Sequence, residues 1–173
     1  TLYIQNGKIY FPSVNTSMNK CSYFSGIIYN PFVDSSSFTS SLSYCTFADN
    51  SASQYNCIWC NNKGAKYEIK CCNILRNTQV SGSYGIIFAR GNLMIEDSCI
   101  LENTATYIFY QESSSYTITL SNCTVDKKTY NQNLITQNTV TKSFILGLNH
   151  ISTRNCHSEY DSAGYLTAAP YIS

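Results

Sequence analysis

One spacing recurs along the chain and limits what it can fold into. It consists of an apolar residue, two further residues, a small residue or Cys, one residue, an apolar residue, and then a polar turn position. It reads Leu42, Cys45, Phe47, Asn50, then Ile69, Cys72, Ile74, Asn77, then Ile95, Ser98, Ile100, Asn103, then Leu120, Cys123, Val125, Lys128. A fainter first copy reads Met18, Cys21, Tyr23, Gly26, and a last copy reads Leu146, Asn149, Ile151, Arg154. The small residues fall at 21, 45, 72, 98, 123 and 149, in steps of 24 to 27 residues. A fixed period in this range is the mark of stacked repeats, in which no unit buries its apolar face alone.

Two more apolar clusters accompany each copy. One reads Ile27-Ile28-Tyr29, Cys57-Ile58-Trp59, Ile86-Ile87-Phe88, Tyr107-Ile108-Phe109, Leu134-Ile135 and Tyr165-Leu166. The other precedes the small residue, as Phe38, Tyr67 with Ile69, Leu93 with Ile95, Tyr116 with Ile118, and Phe144 with Leu146. Turn formers such as Asn61-Asn62-Lys63-Gly64 and Arg90-Gly91-Asn92 separate them. Alternating apolar residues and β-branched content argue against helix. Three short strands per period, joined by turns too short for crossover helices, predict a right-handed parallel β-helix of about six coils. At about 4.8 Å per coil this makes a single domain on the order of 30 Å long. Neither end carries a recognisable cap, so the sequence predicts further coils or domains beyond both.

Over residues 18 to 155 the Leu42-x-x-Cys45-x-Phe47-x-x-Asn50 copies resemble the repeats of pectin-lyase-like right-handed β-helices. The likeness is strongest to the Cys- and Asn-bearing coils of large surface proteins of eukaryotic parasites and of polymorphic membrane proteins. This resemblance implies an extracellular or cell-surface location and an adhesin-like or stalk role, with glycans or host and cell-surface proteins as partners. It also raises an alternative, since enzymes of this fold are polysaccharide lyases or glycoside hydrolases.

Composition narrows the functions further. A net charge of +1 gives no basis for a nucleic-acid partner, and no apolar run approaches the ~20 residues of a membrane span. Ten acids are available, but only Glu96 and Asp97 with Lys70 form a local group. These three are the catalytic candidates of the enzyme reading, although adjacent strand residues point to opposite faces. The sequence favours a non-catalytic segment and implies no cofactor.

Stacking converts the alignment into expected contacts. Cys21, Cys45, Cys72, Ser98 and Cys123 should form an inward column, as small hydrophobic thiols or, with Cα atoms about 5 Å apart, as disulfides. Asn50, Asn77 and Asn103 should form an asparagine ladder at a turn position where Asn tolerates left-handed backbone. Asp49, Arg76, Glu102 and Lys127 alternate in sign and should form an outward charge ladder, with Lys70 and Glu96 as a second one. Cys57-Ile-Trp-Cys60, followed by Cys71-Cys72, is the one constellation with metal-like spacing. A strand through Ile58-Trp59 would send its sulfurs to opposite faces, so no metal is expected. His150 and His157 have no ligand cluster around them, and Cys71, Cys99 and Cys156 should lie outward or in turns.

Asn15-Thr-Ser and Asn122-Cys-Thr are N-glycosylation acceptors. Tyr44, Tyr55 and Tyr110 are candidates to stack on sugar rings. Nine cysteines would equally suit a reduced, intracellular structural β-helix, so a cytoplasmic location stays open. The inward assignment predicts that Cys45→Asp, which buries a charge without a partner, abolishes the cooperative melting transition of the middle coils. An unchanged transition would contradict it.

Overall fold

The computed structural model describes residues 2–34, 37–38, 40–55, 57–82 and 84–141. These residues are all-β, without helix, and every strand pairing is parallel. The chain makes successive passes. The first runs through β1 (Leu2–Gln5), β2 (Ile9–Pro12), β3 (Asn15–Ser17) and β4 (Lys20–Cys21). The second runs through β5 (Ile27–Asn30), β6 (Ser40–Ser43), β7 (Thr46–Ala48) and β8 (Ser51–Ala52). The third runs through β9 (Ile58–Cys60), β10 (Lys66–Lys70), β11 (Asn73–Leu75) and β12 (Thr78–Gln79). Next come β13 (Ile87–Ala89), β14 (Asn92–Glu96) and β15 (Cys99–Leu101), then β16 (Phe109–Gln111), β17 (Ile118–Ser121) and β18 (Thr124–Val125). The last strands among the described residues are β19 (Leu134–Gln137) and β20 (Val140–Thr141).

Like strands of successive passes pair with one another. The first sheet orders β1-β5-β9-β13-β16, the second β2-β6-β10-β14-β17-β19, the third β3-β7-β11-β15-β18-β20, and a short fourth β4-β8-β12. This topology is compatible with a parallel β-helix or solenoid. Register stacks like on like: Phe11, Leu42, Ile69, Ile95 and Leu120 align in the second sheet, and Phe47, Ile74, Ile100 and Val125 in the third. Alternate residues point inward, so these columns and Ile27, Ile58, Ile87 and Phe109 of the first sheet build one continuous core.

Two backbone corners recur in register, and neither uses glycine. Between the second and third sheets the left-handed residue is Ser13, Tyr44, Cys71, Asp97, Asn122 or Asn138. After the third sheet it is Met18, Asp49, Arg76 or Glu102. Positive φ costs an ordinary residue roughly 1–2 kcal/mol, so neighbouring contacts must hold these corners.

The repeat departs from its expected period at both ends. Thr46 aligns with Asn15, so Val14 and not Cys21 occupies the column of Cys45. Cys21 lies instead on exposed β4 opposite Ala52. The physical reason is the long connection between β5 and β6, which stretches the first interval beyond the common step. Toward the other end Val140 pairs with Thr124, which puts Thr139 in the column directly after Cys123. The short connection from β18 to β19 compresses that pass. Leu134-Ile135 therefore joins the second sheet opposite Ile118 and Thr119, not the first. The expected copy at Leu146 to Arg154 lies outside the described residues, as do Cys156, His150, His157 and Tyr165-Leu166.

Candidate functional site

Each of these left-handed corners except Ser13, which precedes Val14, is followed at once by a residue whose side chain can hydrogen-bond, and these residues form two axial columns. In the first, Cys72 Sγ donates to Lys70 O at 3.1 Å and lies 3.6 Å from Leu42 O of the pass before. Cys45 Sγ contacts Ser43 O and Phe11 O in the same way, and Cys123 Sγ contacts Ser121 O and Ile95 O. Ser98 Oγ donates to Glu96 O at 2.7 Å, and Thr139 Oγ1 to Gln137 O at 3.0 Å. The same atoms receive backbone N–H groups: Cys45 N points to Cys72 Sγ, and Cys72 N donates to Ser98 Oγ at 3.0 Å. The column therefore does more than fill space. From Cys45 onward it is built of short side chains carrying both a donor hydrogen and a lone pair, which explains why Cys, Ser and Thr interchange there. The Cys72 thiol bonded to it pulls the Cys45 thiol down to about 7, whereas burial pushes the Cys123 thiol up to about 12.

The second column is an asparagine ladder that begins one pass earlier than the spacing suggested, at Asn19. Asn19 N and Nδ2 both donate to Asn50 Oδ1 at 3.1 and 3.0 Å. Asn50 repeats this on Asn77 Oδ1 at 3.0 and 2.9 Å, and Asn77 on Asn103 Oδ1 at 2.9 and 3.0 Å. The second hydrogen of Nδ2 goes to a carbonyl of the pass before, from Asn50 to Thr16 O, Asn77 to Phe47 O and Asn103 to Ile74 O. The left-handed residue is the one before each Asn, because the amide must point inward while the corner turns the chain. Asn50, Asn77 and Asn103 are buried, so the ladder leaves no room for a ligand.

Outside the corners, Arg76 grips Asp49 with two bonds of 2.8 Å, which holds the Asp49 carboxyl below the ordinary carboxylate range. Glu102 N donates to Asp126 Oδ2 at 2.7 Å, and Lys127 is exposed. Arg90, which the spacing did not single out, pairs with Glu112 at 2.7 Å.

The catalytic candidates do not converge. Lys70 Nζ sits between Glu68 and Glu96 at 3.0 and 3.1 Å, and these two carboxylates raise its pKa. Asp97 turns away at its corner and accepts a bond from Asn122 Nδ2. An ammonium clamped by two carboxylates is a structural ion triad rather than a matched acid and base. Beside it on the second sheet lies a cleft of about 250 Å³ lined by Phe38, Lys66, Asn92, Met94, Thr117 and Thr119. It falls below the usual size of small-molecule sites.

Cys57 and Cys60 are both fully buried in the core rather than on opposite faces, because the positive φ of Cys57 breaks strand alternation. Cys60 Sγ bonds Tyr29 Oη at 3.5 Å, and burial pushes its thiol up to about 12. No group of three or more His, Cys, Asp or Glu among the described residues is arranged to hold a metal. Cys71 is partly exposed at a corner, whereas Cys99 is buried beside Ala48, Leu75 and Leu101. Burial also pushes the Cys99 thiol up, to about 11. Asn15 and Asn122 are exposed.

A wall of rings stands on the outside of the first sheet. Trp59, Phe88 and Tyr110 stand in register, and Tyr23, Tyr55, Tyr84 and Tyr107 run beside them. Tyr55 is sandwiched between Trp59 at 4.2 Å and Tyr84 at 4.6 Å, nearly parallel to both. Phe88 stacks on Tyr110 at 5.5 Å. Both faces of Tyr55 are thus occupied within the chain, which removes it as a platform for sugar rings, and one face of Tyr110 is covered by Phe88. Tyr44 stays exposed at its corner. No family model matches the chain, and neither the curated proteins nor the solved structures contain a significant match.

The ladder predicts a clear mutational contrast. Asn77→Ala should cost about 2–4 kcal/mol of stability, because it strands the groups that Asn77 satisfies. Asp49→Asn on the exposed ion pair should cost less than about 1 kcal/mol. Asn77→Asp places a carboxyl against Phe47 O and Asn103 Oδ1, which favours its protonated form. The folded state then binds more protons than the unfolded one, so that variant loses stability as pH rises above about 4. Denaturant titration at two pH values checks all three; equal costs at Asn77 and Asp49 would contradict the ladder.

Proposed function

We propose that the chain is a non-catalytic segment of a right-handed parallel β-helix, about 25 residues per coil in its regular middle, serving as a stalk of a cell-surface or secreted protein. The observation that carries this reading is the asparagine ladder, in which repeated polar groups are spent on axial bonds between passes. The thiol and hydroxyl column and the ring wall add to it in the same direction. A body whose side chains mainly join one pass to the next suits holding a shape over a distance. In this reading any recognition of glycans or cell-surface proteins falls to exposed features such as Tyr44 and the second-sheet cleft, not to the covered rings. A carbohydrate-active role gains no support from Glu96, Asp97 and Lys70, each of which is engaged in a structural contact.

The test is expression through the secretory route of a eukaryotic host, followed by intact mass measurement before and after glycosidase. The expected result is secreted, folded protein with an N-glycan at Asn15 or Asn122. Protein that folds only in a reducing cytoplasm and carries no sugar would overturn the surface assignment in favour of an intracellular scaffold.

A further inference from the structure

The tyrosine row on the first sheet joins residues far apart in sequence into ring contact. Tyr23 lies 5.3 Å from Tyr55, and Tyr55 lies 4.6 Å from Tyr84 at an interplanar angle of 13°. Tyr84 and Tyr23 are 37% and 52% exposed. Phenols and indoles are the side chains most readily oxidised by one electron, and here they touch. Trp59 stacks on Tyr55, but its buried Nε1 has no partner among the described residues to take a proton. The exposed Tyr23 and Tyr84 can give the hydroxyl proton to water. An electron vacancy entering the wall therefore settles as a neutral phenoxyl radical on the tyrosine row.

We propose that Tyr55 and Tyr84 form an oxidative cross-linking site, at which a peroxide-driven one-electron oxidant joins them into a dityrosine bridging successive passes. Each phenol loses one electron and one proton. The two radicals couple through ring carbons ortho to oxygen, forming one C–C bond. The hydrogens on those two carbons then move to the oxygens and restore both phenols. Hydrogen peroxide accepts the two electrons and two protons and leaves as two waters. Parallel stacking brings ortho carbons of neighbouring rings face to face, which is the geometry this coupling needs. The inference stands on the ring geometry and is independent of the stalk assignment.

The test treats the folded chain with hydrogen peroxide and a haem peroxidase, then maps cross-linked peptides by mass spectrometry. Tyr3, Tyr10, Tyr44 and Tyr130 are about as exposed as Tyr23 and have no ring in contact among the described residues, so they report random coupling. The expected result is a dominant intramolecular Tyr55–Tyr84 peptide. It should be lost completely in Tyr84→Phe, a variant that keeps the ring and therefore the fold, as its unchanged melting would verify. Cross-links spread over the four exposed tyrosines, with no Tyr55–Tyr84 peptide, would overturn the proposal.

Discussion

Twice in each regular pass this chain bends through a left-handed residue that is not glycine, and the rest of the structure depends on holding those bends. Tyr44, Cys71 and Asp97 on one edge, and Asp49, Arg76 and Glu102 on the other, adopt a backbone that disfavours them in isolation. The compensation lies one residue further on. Cys45, Cys72 and Ser98 return a hydrogen bond to the carbonyl on the near side of their corner, Asn50 and Asn77 bind the passes before and after, and Asn103 binds the pass before. Corner and column are a single device: the bend turns a polar residue inward, and that residue satisfies the backbone groups the bend leaves open. Because the asparagine bonds and the amides of Cys45 and Cys72 reach a neighbouring pass, no regular pass is held by its own residues alone.

The outer surface follows the same rule at lower cost. Corner side chains must point away from the core, so positions 49, 76 and 102 carry charges, and Arg76 closes onto Asp49 of the pass before. Rings on the first sheet stack along the axis instead of presenting their faces outward. Lys70 spans two carboxylates, one of them on the next pass. These contacts favour cohesion over recognition, and this argues for a structural role more strongly than any single residue does.

Much of this was legible because stacking makes alignment equivalent to contact. The columns of Leu42, Phe47 and Asn50, and the pairing of Asp49 with Arg76, follow from spacing alone. The reading failed where spacing and structure part company. A long connection before β6 displaced the first copy, so Cys21 was taken for the column residue and Val14 and Asn19 were passed over. A short connection after β18 did the reverse, bringing Thr139 into the column where a regular step pointed to Asn149. The ring wall was hidden for another reason: Tyr23, Tyr55 and Tyr84 sit in connections, where alternation carries no information about facing. Which residue took the left-handed angle was also out of reach, since Arg, Glu and Tyr are poor candidates by intrinsic preference.

The most direct measurement is native-state hydrogen exchange of the backbone amides of Asn50, Asn77 and Cys72. Each donates to a side-chain atom of the following pass: Asn50 to Asn77 Oδ1, Asn77 to Asn103 Oδ1, and Cys72 to Ser98 Oγ. If the columns hold the corners, these turn amides exchange as slowly as those of Ile69 and Ile74 within the sheets, through global unfolding only. Fast exchange at all three, with the strand amides still protected, would show that the corners open independently and that the columns do not carry the fold.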